Sequence, residues 1–409
     1  MKQLMVILLG QEVGILEQNS VGKITFRYRT EWLEQKVNRP LSQSLPLRKE
    51  KFNEKECAPF FGGLLPEEQN REIIARNLGI SPRNDYAMLR EIGGECAGAV
   101  SLIPIDATSA PKSSAYQEIS EAELIEILDQ LPQRPLLAGR AEIRLSLAGA
   151  QNKVALYINK TGYALPLQES PSSHILKPEM DRFPGLADNE AYCLKLAAAV
   201  GLNVCQAEIR QLGPHRCILV TRYDRLVRNN SMQRLHQEDF CQALAIPSRN
   251  KYQMEGGPSL SQCFDLVRKA STRPAQDLLQ LFNGVLYNYL IGNHDAHGKN
   301  FSLLYGSSEE PLSLRLAPFY DLICTAIYPQ LTSKMAMKIG KSSLPEEITS
   351  RDWERYWESI GFSRKQARKQ TLQFIDGLSL QCGAPENEVQ AQIQDVITKR
   401  SEWLHGLFC

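Results

Sequence analysis

What this sequence lacks narrows its chemistry first. None of its ten cysteines forms a C-x-x-C pair, the spacing used by zinc ribbons and dithiol redox centres. Long apolar runs are missing too. The stretch Met1–Gly10 carries one charge and is too short in apolar residues for a signal peptide. Nothing approaches the roughly 20 residues needed to span a bilayer. Nor is there an excess of charge: 47 Lys and Arg face 46 Asp and Glu, a net of +1. A chain so balanced has no broad electrostatic hold on nucleic acid or membrane. These absences predict a reduced, cytoplasmic protein with no membrane partner. Cys193 and Cys241, inside apolar helical patterns, read as buried free thiols.

At 409 residues the chain is long enough for two or three cores. Residues 1–105 read as a small β-rich module, with strands at Leu4–Leu9, Val13–Leu16, Ile24–Tyr28 and Ala99–Pro104. A helix over Glu67–Leu78 is stopped by Gly79. Residues 106–142 read as a linker and helix. The linker, 106–119, is rich in Ser, Pro and Ala. Ser120 and Glu123 then form a capping box, and Leu124, Ile127, Leu128 and Leu131 make one apolar face. From 143 to 232, strands at 155–158, 174–177, 207–212 and 217–223 surround one helix, capped by Asp188 and closed by Gly201. From 233 to 409 the pattern is helical. One helix starts at Pro274 and carries Leu278, Phe282, Val285, Leu286, Tyr289 and Leu290 inward. Another holds Trp353, Tyr356, Trp357 and Ile360, and a last one, opened by Pro385, turns Val389, Ile393, Val396 and Ile397 inward.

The helix from Pro274 runs straight into Asn293-His294-Asp295-Ala296-His297-Gly298-Lys299-Asn300, with Tyr320-Asp321 downstream. Asp, His, Asn and Gly are common in loops for turn reasons alone, yet a turn does not require six of them in eight positions. An Asp, an Asn five positions later and a second Asp 21 residues beyond is the order phosphoryl-transfer enzymes use. The first Asp takes the substrate hydroxyl proton, while the Asn and second Asp hold Mg²⁺, which prefers oxygen ligands. Asp321 also stands alone among apolar residues, where a bare carboxylate needs a partner or a metal. His294 and His297 have metal-like spacing, but zinc would need two further ligands that the cysteine pattern does not supply; His297 instead reads as orienting the loop or contacting phosphate.

Two further stretches fit a nucleotide. Small residues around Gly149, within Ser146–Lys153, let backbone N–H groups approach phosphate, and Lys153 could add charge. An ordinary hairpin turn would look the same, since neither common Gly-rich phosphate motif is present. Lys177 ends the strand His174–Lys177, where it could pair with phosphates and be steered by Glu190. A solvated strand-end lysine fits that position equally well.

These segments together resemble the HipA family, the serine/threonine kinase toxins of bacterial toxin–antitoxin modules. The resemblance runs in order through Phe61-Gly62-Gly63-Leu64-Leu65-Pro66, Ser146–Lys153, His174–Lys177, Asn189-Glu190, Arg222-Tyr223-Asp224-Arg225, Gln237–Gln242, Asp295–Asn300 and Tyr320-Asp321. It implies an α+β, protein-kinase-like two-lobed fold preceded by a small β-rich N-terminal subdomain, with 143–232 as N-lobe and 233–409 as helical C-lobe. It implies ATP and Mg²⁺ as cofactors, Asp295 as catalytic base and Asn300 and Asp321 as metal ligands. Ala148, Gly149, Ala150, Gln151, Asn152, Lys153, Lys177, His297 and Lys299 become ATP contacts, with Glu190 as the lysine-pairing candidate. Backbone groups of Thr221 and Tyr223 would meet adenine at the hinge. Ser146 takes the place of the autophosphorylated serine, whose phosphate would expel the loop by repulsion and switch the kinase off. The implied partners are a helix-turn-helix antitoxin of the HipB type and an aminoacyl-tRNA synthetase substrate, with DNA reached only through the antitoxin. The chain departs from the family at Gly298, where Ala is commoner. Two other readings remain at this stage, a non-catalytic pseudokinase serving as corepressor and a small-molecule phosphotransferase.

Overall fold

The computed structural model describes residues 2–105, 115–140, 142–228, 231–307 and 309–408. They fall into two compact units. Unit 1 comprises residues 1–178, 210–248 and 304–313, and unit 2 comprises 179–209, 249–303 and 314–409.

Unit 1 begins with β1 (Lys2–Leu8), β2 (Gln11–Gln18) and β3 (Ile24–Tyr28), then α1 (Thr30–Leu33), α2 (Glu54–Gly63), α3 (Glu68–Leu78), α4 (Asp85–Ile92) and β4 (Val100–Pro104). The strands form an antiparallel sheet in the order β3-β2-β1-β4. Period-two patterning explains which face is covered, since Leu4, Val6 and Leu8 alternate inward, as do Ile24, Phe26 and Tyr28. Against that face Phe26 packs on Phe52 and Phe61, and Phe61 on Phe60. Gly79 ends α3 in the left-handed conformation, at φ 65°, as expected of a C-terminal glycine. The strands were legible in the sequence; α2 and α4 were not, and α2 absorbs Phe60 and Phe61.

The second sheet of this region runs β5-β7-β6-β8-β10-β9, from β5 (Ala115–Ile119), β6 (Val154–Asn159), β7 (Gly162–Leu167), β8 (His174–Pro178), β9 (Ala207–Leu212) and β10 (His215–Thr221). Here the linker expectation needs correction. Residues 106–114 lie outside those described, but 115–119 are an edge strand paired with β7. The capping box of Ser120 and Glu123 opens α5 (Glu121–Gln130) as expected, and Leu124, Ile127, Leu128 and Leu131 are buried. The hairpin β11 (Arg225–Arg228) and β12 (Ser231–Arg234) follows, then β13 (Gln237–Asp239) and α7 (Phe240–Ala243).

Unit 2 holds α6 (Leu186–Ala199), α8 (Leu260–Ala270) and α9 (Pro274–Leu290). Beyond β14 (Ser302–Tyr305), it continues with β15 (Leu314–Leu316), α10 (Ser350–Ser359), α11 (Arg364–Gln381) and α12 (Glu388–Phe408). Asp188 is not the cap of α6. Gly185, at φ 72°, takes that position, because glycine enters the left-handed region at no steric cost, and Asp188 lies in the first turn. Within unit 2, α6 packs on α11 and α12. Pro274 occupies the first turn of α9, where its missing N–H costs nothing. Leu278, Val389 and Val396 are only half-buried. Asp277, unforeseen, is buried in an ion pair with Arg315, and also accepts the Ser271 hydroxyl at 2.6 Å and the Leu316 N–H at 2.9 Å.

Gly284, inside α9, is there for packing. A methyl at that position would run into the Phe319 ring. Although alanine is the better helix former, Gly284→Ala should therefore destabilise the protein by about 1–3 kcal/mol. Denaturant unfolding tests this, and an unchanged or raised midpoint would refute it.

Candidate active site

The residues singled out in the sequence divide between the two units. In unit 1, Ser146–Lys153 is an irregular segment leading into β6. Ser146 is fully buried; its hydroxyl donates to the Leu64 carbonyl at 2.8 Å and its N–H to the Glu95 carbonyl at 2.8 Å. The carbonyl of Ala148 accepts from Lys153 Nζ at 2.7 Å, that of Gly149 from the Glu67 N–H at 3.4 Å, and that of Ala150 from Asn70 Nδ2 at 2.8 Å. Three successive carbonyls are thus engaged, which holds the backbone of the segment through its bend. Gly149, at φ 102°, permits that turn, and a Cβ there would meet Lys153 Nζ at 2.8 Å. Gln151 and Asn152 are half-buried on the same segment.

Lys177 is buried on β8 opposite Ile218 of β10, and Thr221 lies opposite His174 in the same antiparallel register. Tyr223 follows β10, its hydroxyl donating to Gln237 Oε1. Between them, Arg222 places its N–H on the Ser173 carbonyl at 3.0 Å. Its guanidinium enters a buried cluster whose roles sequence reasoning missed. Arg222 reaches Glu95 at 3.0 Å and Asp224 at 2.8 Å, and Arg225 reaches Glu95 at 2.6 Å and Asp224 at 3.0 Å. Burial alone would raise the Glu95 carboxyl; the charges of Arg222, Arg225 and Arg234 overcome it and hold the group at about 2.

In unit 2, α9 is followed by the left-handed Gly292, at φ 76°, which leads into the loop 293–300. Asn293 organises its start, accepting the Asp295 N–H at 3.1 Å and donating to Asn288 Oδ1 at 2.7 Å. Asp295 is exposed, and Asn300, half-buried, donates its amide to the Asp295 carbonyl at 3.0 Å. His297 and Lys299 are buried beside them. His294 is clamped by α12. Arg400 donates to its Nε2 at 2.7 Å and to the Tyr289 carbonyl. An arginine can only donate, so Nε2 accepts and Nδ1–H donates to the Thr332 carbonyl at 3.2 Å. Burial, followed by the Arg400 charge, pushes this histidine down to about 4, leaving it neutral near pH 7. With both nitrogens engaged it makes a poor zinc ligand.

Asp321 is fixed from several sides. Phe319 pairs through its backbone with the strand-like segment 203–205, with Cys205 N–H to Phe319 O at 2.9 Å and Phe319 N–H to Asn203 O at 2.7 Å. The Tyr320 hydroxyl bonds the Lys299 carbonyl at 2.7 Å, tying the residue before Asp321 to the residue before Asn300. Asn293 Nδ2 lies 3.5 Å from the Asp321 carbonyl. Asp321 itself is half-buried at φ 57°, a left-handed conformation that costs a non-glycine residue about 1–3 kcal/mol and persists only where the surrounding structure holds it. Three residues further on, α6 anchors the same segment: Asn189 bonds both the N–H and C=O of Cys324, at 2.8 and 2.9 Å. Glu190, next to Asn189, is buried. Lys177 and Glu190 belong to different units. Bonds within unit 2 thus tie Asp295 to Asn300, and tie Tyr320, next to Asp321, to Lys299, next to Asn300; Asn300 and Asp321 both carry the oxygen ligands that a hard cation such as Mg²⁺ prefers.

The model of the HipA N-terminal domain matches residues 4–103, and that of the HipA-like C-terminal domain matches residues 145–398. The chain belongs to the HipA family of serine/threonine kinase toxins. Among relatives, protein Y4mE of Sinorhizobium fredii is 45% identical over 373 residues, covering 90% of this chain and 88% of that one. The serine/threonine-protein kinase toxin HipA of Shewanella oneidensis is 29% identical over 352 residues, covering 82% of this chain and 78% of that one. The HipA structure from the Shewanella oneidensis MR-1 complex with HipB and operator DNA superposes with a TM-score of 0.85 at 25% identity, over 99% of this chain and 98% of that one. The HipA-type α+β, kinase-like fold is therefore this chain's fold, and protein serine/threonine kinase is its enzyme class. Among the described residues no helix is long and apolar enough to cross a membrane.

Proposed function

We propose that this HipA-family kinase transfers the γ-phosphoryl group of ATP to a protein serine, acting in the cytoplasm as the toxin of a toxin–antitoxin module. The observation that carries the reading is the tie among Asp295, Asn300 and Asp321, in which Tyr320 bonds the Lys299 carbonyl and Asp321 is kept left-handed. In this reading residues 1–105 form the N-terminal subdomain, 106–142 a connection, 143–232 the nucleotide-holding lobe and 233–409 the catalytic lobe. Asp295 accepts the serine proton as the hydroxyl oxygen bonds to the γ-phosphorus and the bond to ADP breaks. Asn300 and Asp321 would hold Mg²⁺, which neutralises charge on the phosphate oxygens. Ala148–Lys153, Lys177, His297 and Lys299 would contact the phosphates, with Glu190 steering Lys177. The backbone of Thr221 and Tyr223 would receive adenine.

The known HipA complex contains HipB and operator DNA, which supports an antitoxin of that type for this chain, with DNA reached through it. An aminoacyl-tRNA synthetase is the substrate class the resemblance suggests. Ser146 is the proposed autophosphorylation site. Its hydroxyl is buried against Leu64, so a phosphate there is incompatible with the bonds that seat the segment. Incubation with ATP and Mg²⁺ followed by intact mass and peptide mapping should find one added phosphate on Ser146, absent from Ser146→Ala. If dephosphorylated protein with its antitoxin removed gained none, the kinase reading would fail.

A further inference from the structure

We propose that Tyr252 is a positioning residue for phosphoryl transfer, holding the Asp295 carboxylate in the orientation that receives the serine proton. This rests on the reading of Asp295 as proton acceptor and adds a residue that the sequence did not single out.

The Tyr252 hydroxyl donates to Asp295 Oδ1 at 2.7 Å. Asp295 is exposed and sits on a loop, and the last torsion of an aspartate side chain has a broad, roughly two-fold preference. A donor fixed on one oxygen sets that rotation and leaves the other oxygen's lone pairs directed by geometry. The donor must itself be rigid for this to matter, and Tyr252 is held on both sides. The Lys251 carbonyl accepts the Gly298 N–H at 3.4 Å, from within the catalytic loop. The Gln253 N–H donates to the Ala336 carbonyl at 3.0 Å, and the Ala336 N–H donates in turn to the His294 carbonyl at 2.8 Å. The Gln253 side chain accepts the Lys338 N–H at 2.7 Å. The Tyr252 ring stands edge-on to His297, with centroids 5.3 Å apart. Gly298, after Asp295, is therefore bonded directly to Lys251, and His294, before it, is linked through Ala336 to Gln253, so that the phenol and carboxylate share one frame. Had the tyrosine served packing alone, the ring against His297 would suffice and the hydroxyl would be dispensable.

Tyr252→Phe keeps the ring and removes the donor. The maximal rate of phosphate transfer from ATP·Mg²⁺ onto Ser146 should fall about 10-fold or more, as for loss of a hydrogen bond to a charged group. KM for ATP, the calorimetric affinity for ATP·Mg²⁺ and the thermal midpoint should stay at wild-type values. Tyr252→Ala, which also loses the ring, should add a lower midpoint. A Tyr252→Phe enzyme within twofold of wild type would overturn the proposal, as would a rate loss matched by parallel changes in KM and melting. A wild type that transfers no phosphate removes the acceptor role of Asp295 and the positioning role with it. A normally active wild type beside an equally active Tyr252→Phe removes the positioning role alone.

Discussion

Asp295→Asn should cut phosphoryl transfer by about 10²–10⁴-fold, the usual contribution of a positioned general base, and leave the fold intact. Asparagine is isosteric and still accepts the Tyr252 hydroxyl through its oxygen, but it cannot take a proton. Asp295 is exposed and asparagine keeps its shape, so stability should stay within about 0.5 kcal/mol. ATP·Mg²⁺ affinity should hold as well, because the proposed metal ligands, Asn300 and Asp321, are untouched. Rate by phosphate incorporation, affinity by calorimetry and melting by circular dichroism form a complete test. A variant retaining more than a tenth of the wild-type rate would take the base role from Asp295. Equal loss of rate and affinity would instead show that the substitution had disturbed the loop.

The second large effect is on stability and lies in unit 1. Glu95→Ala should destabilise by about 3–5 kcal/mol, the range for breaking a buried ion pair from one side. That corresponds to a fall of roughly 10 °C in the melting temperature. Glu95 is fully buried and bonds Arg222 and Arg225, together with the Ser172 N–H at 3.0 Å. Its removal leaves guanidinium groups without that counter-charge in a dry setting. The pH dependence has a definite sign. The folded-state carboxyl sits at about 2, below its ordinary 4.5, so its stabilisation is present above about pH 4.5. It is lost as pH falls through 4.5 towards 2. Glu95→Gln should accordingly be less stable than wild type near neutrality, and the difference should shrink in acid. A difference between the two proteins that does not change with pH would show that the carboxylate charge is not what stabilises this cluster.

Much of the fold was readable wherever the determining contacts are local. Alternation in Ile24–Tyr28, the Ser120–Glu123 box and the glycine after α3 each act over a few residues, and each appears as expected. The loop 293–300 stood out because its polar residues follow a long apolar helix, and the structure places it directly after α9. What escaped was set at a distance. Ala115–Ile119 carries no strong strand pattern, yet pairs with β7 across the sheet. Asp188 is a good cap by type, but the left-handed Gly185 had already fixed where α6 begins. Tyr252 meets Asp295 across 43 positions and Arg400 meets His294 across 106. No periodicity encodes such pairs. Arg222 and Asp224 could be quoted as part of a family motif, but nothing in the sequence revealed that their charges close on Glu95.

The Glu95–Arg222 bond spans 127 positions, and this has a bearing on how the chain folds as it is made. Synthesis delivers Glu95 long before its arginines exist, and until they arrive its carboxylate is better left in water. The first sheet, β3-β2-β1-β4, is complete in sequence by Pro104 and can form while the ribosome is still working. The seam around Glu95 cannot close then. Closing it requires a long loop to be brought back, which makes it a late event and a slow one. For that interval the N-terminal region is a folded sheet with an unfinished, charged edge, open to whatever binds nascent chains.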